Sequence, residues 1–215
     1  MRSDEQQLRH AVVAACRRMQ RLGLSHGTSG NISVRCGDGL LITPSGVPYD
    51  KLSGEDIVGM GFDGSWQGKL APSSEWRFHL DIMQSRDDVN AVVHGHPLYA
   101  TSLAICRREI PAVHYMIAAA GGATVRCAEY ATFGTKALSI NVLDAMRERN
   151  CCLLANHGMI ATGATLERAL WLASELENLA HQYVISLTIG HPVILSDHEI
   201  ETNIALFKNY GPKKI

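Results

Sequence analysis

Apolar residues recur at helical spacing over residues 4–22, at Leu8, Val12, Ala15, Met19 and Leu22. Ser3 followed three positions later by Gln6 reads as a capping box, and Gly23 as the stop. NISVR (31–35) alternates like a half-buried strand, and GLLIT (39–43) pairs with it across a turn at Cys36-Gly37-Asp38-Gly39. IVGMGF (57–62) predicts a further strand. A helix capped by Ser73 or Ser74 runs to about Gln84, with Trp76, Leu80 and Met83 on its apolar face. Strands follow at Val89–His94 and at TVRC (124–127), with a helix from Pro97 to about Cys106 between them. A helix from Thr135 to about Arg147 leads to two strands, CCLLA and MIAT, around a turn at Asn156-His157-Gly158. Helices at Thr165–Ile189 and Asp197–Tyr210 finish the pattern. Several neighbouring strands are joined by tight turns and must be antiparallel, so the expected fold is α/β with a mixed, largely antiparallel sheet flanked by helices.

Composition narrows the class. Of 215 residues, 46% are hydrophobic and 19% charged, which suits one globular domain spanning 1–215 and excludes a disordered chain. Lys plus Arg (20) balances Asp plus Glu (21), which argues against a nucleic-acid partner or a polybasic membrane anchor. No apolar run approaches the ~18 residues that span a bilayer. The first ten residues carry no hydrophobic signal core, so a cytoplasmic location is expected. The six cysteines include no CxxC pair and read as buried reduced thiols. Ten histidines are the unusual count.

Three of those histidines fall in suggestive places. His94-Gly95-His96 ends a strand, where residues i and i+2 project to the same side. Such a pair serves as metal ligands or as hydrogen-bonded surface histidines. His157 sits in a tight turn after a buried strand, where a turn-stabilising role is equally open. Together the three imidazoles and an open position make a catalytic zinc set. In Pro72-Ser73-Ser74-Glu75 the first-turn N–H groups and two hydroxyls suit an anion. Glu75 reads either as a dipole-pairing helix residue or, beside a metal, as a proton-transfer base. Two glycine-rich turns, Gly27-Thr28-Ser29-Gly30-Asn31 and Thr43-Pro44-Ser45-Gly46, offer backbone nests for phosphate oxygens. Turns are also rich in these residues for steric reasons alone.

The combination is more specific than its parts. GTSGNIS, ITPSG, PSSEWRFH, AVVHGHP, HYMIAAAG, YATFGT and ANHGMI occur in that order, and the chain resembles the class II sugar-phosphate aldolases of the L-fuculose-1-phosphate aldolase type from about Leu8 to Gly211. The resemblance implies one Zn2+ per subunit on His94, His96 and His157, with Glu75 as the base. It implies a substrate phosphate held by Thr28, Asn31, Ser45, Gly46, Ser73 and Ser74. It implies a cyclic homotetramer whose neighbouring subunit supplies Tyr115 to protonate the aldehyde oxygen. Phe133, Phe207 and Tyr210 would line or cover the aldehyde end. Two positions depart from the pattern. Ser45 stands where threonine is common, and Ser25 where asparagine is familiar.

The implied activity is reversible cleavage of a ketose 1-phosphate into dihydroxyacetone phosphate and a small aldehyde such as L-lactaldehyde. Alternatives on the same scaffold are cleavage of 5-deoxyribulose or 5-methylthioribulose 1-phosphate, and epimerase or dehydratase chemistry. Adducin-like interaction modules share the fold without the metal set; the presence of all three histidines and the glutamate favours an enzyme.

Overall fold

A computed structural model describes residues 3–207. Helix α1 (Ser3–Arg21) precedes strands β1 (Asn31–Cys36), β2 (Gly39–Ile42), β3 (Val58–Gly61) and the short β4 (Trp66–Gln67). Then come α2 (Trp76–Ser85), β5 (Ala91–Gly95), α3 (Leu98–Ile105), β6 (Cys127–Ala128) and α4 (Lys136–Ala145). The hairpin of β7 (Cys151–Leu154) and β8 (Gly158–Gly163) leads into α5 (Leu166–Ile189) and α6 (Asp197–Phe207).

One eight-stranded sheet runs in the order β4-β3-β2-β1-β5-β8-β7-β6, and only its β6–β7 pair is parallel. The mixed, largely antiparallel expectation is met. Strand β5 is central: it pairs with β1 on one side, setting Asn31 opposite His94, and with β8 on the other, setting Gly95 opposite Met159. Each sheet face buries its own core. Ile32, Val34, Ala91 and Val93 pack with α1, α3 and α5. Leu40, Ile42, Val92 and Ile160 pack with Phe78, Ile82 and Met83 of α2 and with Leu138 and Val142 of α4.

Several expectations need correction. The alternation in NISVR places Asn31 and Ser33 on a polar face, but that face is not solvated. Both are almost fully buried beneath α2. Neither Ser73 nor Ser74 caps α2; Glu75 occupies the N-cap position and makes no capping hydrogen bond. In the segment read as a strand at 124–127, Val125 makes a bridge with Ile110 and only Cys127 is in a strand, which runs Cys127–Ala128. Strand β4 and a 3-10 helix over Tyr115–Ala120 have no counterpart in the hydrophobic pattern. Among the cysteines, Cys16, Cys151 and Cys152 are buried as expected, whereas Cys106 is exposed. No described helix is long and apolar enough to cross a membrane.

The connection after β5 is held from a distance. Pro97 caps α3 and offers no side-chain acceptor. Glu177 of α5 replaces it, accepting from the backbone N–H groups of Tyr99 (2.9 Å) and Ala100 (2.8 Å). These are orphan first-turn donors, and a carboxylate there also meets the positive end of the helix dipole. Replacing Glu177 by alanine leaves both donors unpaired. The expected loss is about 1–3 kcal/mol in urea denaturation, with Glu177→Gln retaining one acceptor and losing less.

Candidate active site

The site lies where β5 and β8 end beside the β1 loop. His94 is fully buried in β5. His96 stands just beyond that strand, its backbone N–H bonded to the Leu24 carbonyl (3.0 Å), so the pair straddles a strand end rather than lying within one strand. A side chain at Gly95 would put its Cβ 2.3 Å from the Leu24 carbonyl oxygen. A Cβ at Gly158 would stand 2.5 Å from the Gly95 carbonyl oxygen and from the His96 ring. The third histidine, His157, follows Asn156, whose φ of 53° is a left-handed conformation that asparagine tolerates. Asn156 is anchored by its N–H to the Ala104 carbonyl (3.0 Å) and by its amide oxygen to Arg107 (3.2 Å).

Ring nitrogens of His94, His96 and His157 lie within 4.8 Å of one another. The Nδ1–H of His94 donates to the Met159 carbonyl (2.9 Å), which leaves a lone pair on Nε2. That Nε2 faces the Nε2 of His96 at 2.9 Å and Glu75 Oε2 at 3.1 Å. Glu75 Oε1 is buried without a hydrogen-bond partner, 3.2 Å from His157 Nε2. Three imidazoles and a buried carboxylate thus converge with an orphaned oxygen and too few protons to satisfy them. This donor set fits a divalent metal with a histidine fixed in its tautomer by a backbone carbonyl.

Glu75 itself reaches the site because α2 begins one residue after it. Its carboxylate turns inward instead of capping the helix, and Asn31 Nδ2 donates to Oε2 at 3.0 Å. Burial alone would push this carboxyl up; its close electrostatic contacts with His94 and His157 outweigh burial and hold it well below the usual carboxylate range. Burial, followed by the charges of His94 and His157, lowers the His96 pKa to about 3, so this imidazole is neutral near physiological pH.

A cavity of ≈ 360 Å³ opens over this floor, lined by Thr28, Asn31, Ser45, Gly46, Ser73 and Ser74 on one side. The two turns and the α2 leader are tied together there. Ser73 donates its N–H to the Thr43 carbonyl (2.9 Å), Ser45 donates to Ala71 (3.1 Å), and the Tyr49 hydroxyl holds the Gly30 carbonyl (2.7 Å). All six residues expected at the phosphate line one pocket with Glu75, His96 and His157, and Phe133 lines it too. Tyr130 and Asn156 are further lining residues that the sequence pattern did not single out.

Other expected residues lie elsewhere. Tyr115 opens its 3-10 helix half-exposed and is not among the residues lining the cavity of its own chain. Phe207 packs against the core cluster on the α5 face of the sheet. Tyr210 falls outside the described residues. Of the remaining histidines, His181 stacks on Tyr99 at 3.8 Å between ring centroids, and His114 accepts from the Met116 N–H (3.2 Å).

Comparisons with known proteins agree with this geometry. Residues 10–184 match the family described as the class II aldolase and adducin N-terminal domain. The chain is 51% identical to an L-fuculose phosphate aldolase of Escherichia coli O6:H1, over 97% of each chain. It is 54% identical to a 5-methylthioribulose-1-phosphate/5-deoxyribulose-1-phosphate aldolase of Rhodospirillum rubrum, over 95% of this chain and 92% of that one. A solved L-fuculose 1-phosphate aldolase superposes with a TM-score of 0.92 at 41% identity, covering 97% of this chain and 98% of the other.

The donor set carries a direct test. Metal analysis of gently purified protein is expected to find about one divalent ion per chain. Alanine at His96 or His157 should cut the bound metal sharply; full occupancy in both variants would move the metal elsewhere.

Proposed function

Because the chain belongs to the class II aldolase and adducin family and is an aldehyde-lyase, we propose that it is a zinc-dependent aldolase. Its reaction is the reversible cleavage of a ketose 1-phosphate of the L-fuculose 1-phosphate type into dihydroxyacetone phosphate and L-lactaldehyde. The observation that carries this reading is the arrangement of one cavity. Its floor is Glu75, His96 and His157, with the buried His94 directly behind them, and its wall is a cluster of hydroxyl-bearing and glycine-turn residues.

His94, His96 and His157 would hold the zinc ion, which when bound would supply Lewis-acid stabilisation of the negative charge that develops as the C–C bond breaks. Thr28, Asn31, Ser45, Gly46, Ser73 and Ser74 hold the phosphate, a dianion suited to backbone N–H nests and hydroxyl donors. Holding the phosphate at a distance from the bond that breaks fixes the ketose in a reactive pose. In the synthetic direction Glu75 takes the C3 proton of dihydroxyacetone phosphate. C3 then attacks the aldehyde carbon, and a tyrosine O–H protonates the oxygen that becomes the new hydroxyl. Cleavage is the reverse.

Tyr115 is the proton donor in this scheme, and it acts in the cavity of a neighbouring subunit of a homotetramer. Its half-exposed position, apart from the cavity of its own chain, supports that arrangement. Phe133 and Tyr130 shape the aldehyde end.

The second reading places 5-deoxyribulose or 5-methylthioribulose 1-phosphate in the same site. The Rhodospirillum rubrum relative, as similar as the fuculose phosphate enzyme, favours it. All these substrates share the phosphate end and differ at the aldehyde.

Kinetics across the three ketose 1-phosphates decide between the readings. The highest kcat/KM is expected with L-fuculose 1-phosphate, and dihydroxyacetone phosphate release from none of the three would sink the aldolase assignment. A stereoisomeric ketose in place of two fragments would point to an epimerase. Glu75→Gln should retain metal while turnover falls by ~10²–10⁴. Tyr115→Phe should slow cleavage at unchanged fold. A fully active monomer in sedimentation would remove Tyr115 from its cross-subunit role.

A further inference from the structure

The polar interior beneath α2 extends past the residues that the proposed chemistry uses. His79 lies on α2, one turn beyond Glu75, fully buried and outside the cavity lining. Its Nε2 is 2.5 Å from Asn31 Oδ1, and its Nδ1 is 2.7 Å from Ser33 Oγ. Ser33 is itself fully buried. Hydrogen bonds therefore join Ser33, His79, Asn31 and Glu75, and the Glu75 carboxylate in turn lies 3.1 Å from Nε2 of His94, whose Nδ1 is held by the Met159 carbonyl, so the row crosses from α2 to three strands of the sheet.

The protons in this row can be placed from chemistry alone. An ionised Glu75 only accepts, so the Asn31 atom facing Oε2 is the amide nitrogen. The amide oxygen then faces His79, which must donate from Nε2. Nδ1 is left with its lone pair and accepts a hydrogen bond from the Ser33 hydroxyl. The imidazole is neutral in this scheme. Burial lowers its pKa to about 3, in agreement. Turning the Asn31 amide over would press its oxygen against a buried carboxylate and leave a donor facing a donor, an arrangement that low local dielectric makes costly.

We propose that His79 is a positioning residue: by donating from Nε2 to Asn31 it fixes the amide orientation that holds the Glu75 carboxylate against His94 and His157. Asn31 also lines the cavity, so the same amide keeps one hydrogen for substrate and joins the base to the phosphate-side loop. The inference rests on the reading of Glu75 as the base. His79 touches neither substrate nor metal; it acts through Asn31.

Two measurements test this. In metal-loaded protein labelled with 15N at histidine, the His79 signal, identified by its loss in His79→Gln, should report a neutral ring with its hydrogen on Nε2. A hydrogen on Nδ1, or a doubly protonated ring, overturns the proposal without reference to turnover. In kinetics, His79→Leu should lower kcat by ~10–100-fold with KM little changed and metal content intact. His79→Gln, whose amide N–H can still donate to Asn31, should recover most of kcat. If Leu and Gln variants lose kcat equally, or if the loss tracks Tm alone, His79 only fills the core and the proposal fails. Unaffected kcat in His79→Leu, beside a wild type that depends on Glu75, overturns this inference alone. Equal turnover of wild type and Glu75→Gln overturns the base assignment and this inference with it.

Discussion

A carboxylate removed from water must be matched by donors or cations, and this structure is organised around one such group. Glu75 is held between His94, His157 and Asn31, which come from β5, the β7–β8 turn and β1. A lone ion in so dry a place would cost several kcal/mol. The backbone pairings of β1 with β5 and of β5 with β8 put the matching groups within reach. Each constraint nearby serves that convergence. Gly95 and Gly158 let backbones touch, and Glu177 holds the helix that leaves the site.

The division of labour in the cavity follows from element type. The candidate metal ligands and Glu75 stand at a strand end, in the tight β7–β8 turn and at a helix start, where neighbouring backbone bonds fix them. The hydroxyls and N–H groups suited to phosphate sit on turns, but the turns are laced to one another by backbone hydrogen bonds. The aromatic residues at the opposite wall, Tyr130 and Phe133, are more than half exposed. Positions of that kind change at small cost to the core, whereas a change at Asn31 or Ser33 disturbs the interior.

Much of this was legible in the sequence. His94, His96 and His157 stood out because their spacing and neighbouring glycines form a recognisable pattern, and the tight turns dictated antiparallel pairing. Glu75 had two readings from its position alone, and its carboxylate turns to the histidines instead of capping α2. What escaped was the second face of β1. Alternation in NISVR marks Asn31 and Ser33 as polar, and polar strand positions ordinarily face water. Only the packing of α2, with His79 placed over them, converts that face into an interior one. Local periodicity carries no information about what covers a sheet. For the same reason the half-exposed Tyr115 gave no local signal of its surroundings, since the short 3-10 helix it opens left no mark in the hydrophobic pattern.

The order of strands in the sheet also has a consequence for how the protein matures. The phosphate-side turns, Glu75, His94 and His96 all lie in the first half of the chain, yet the third imidazole arrives only with the β7–β8 hairpin. During synthesis Glu75, His94 and His96 are therefore made well before His157. Gly158, whose close approach to the Gly95 carbonyl seats β8 against β5, directly follows His157 in the chain. Convergence of the three imidazoles thereby waits on completion of the sheet, and a chain truncated before β7 would hold Glu75, His94 and His96 without the third histidine.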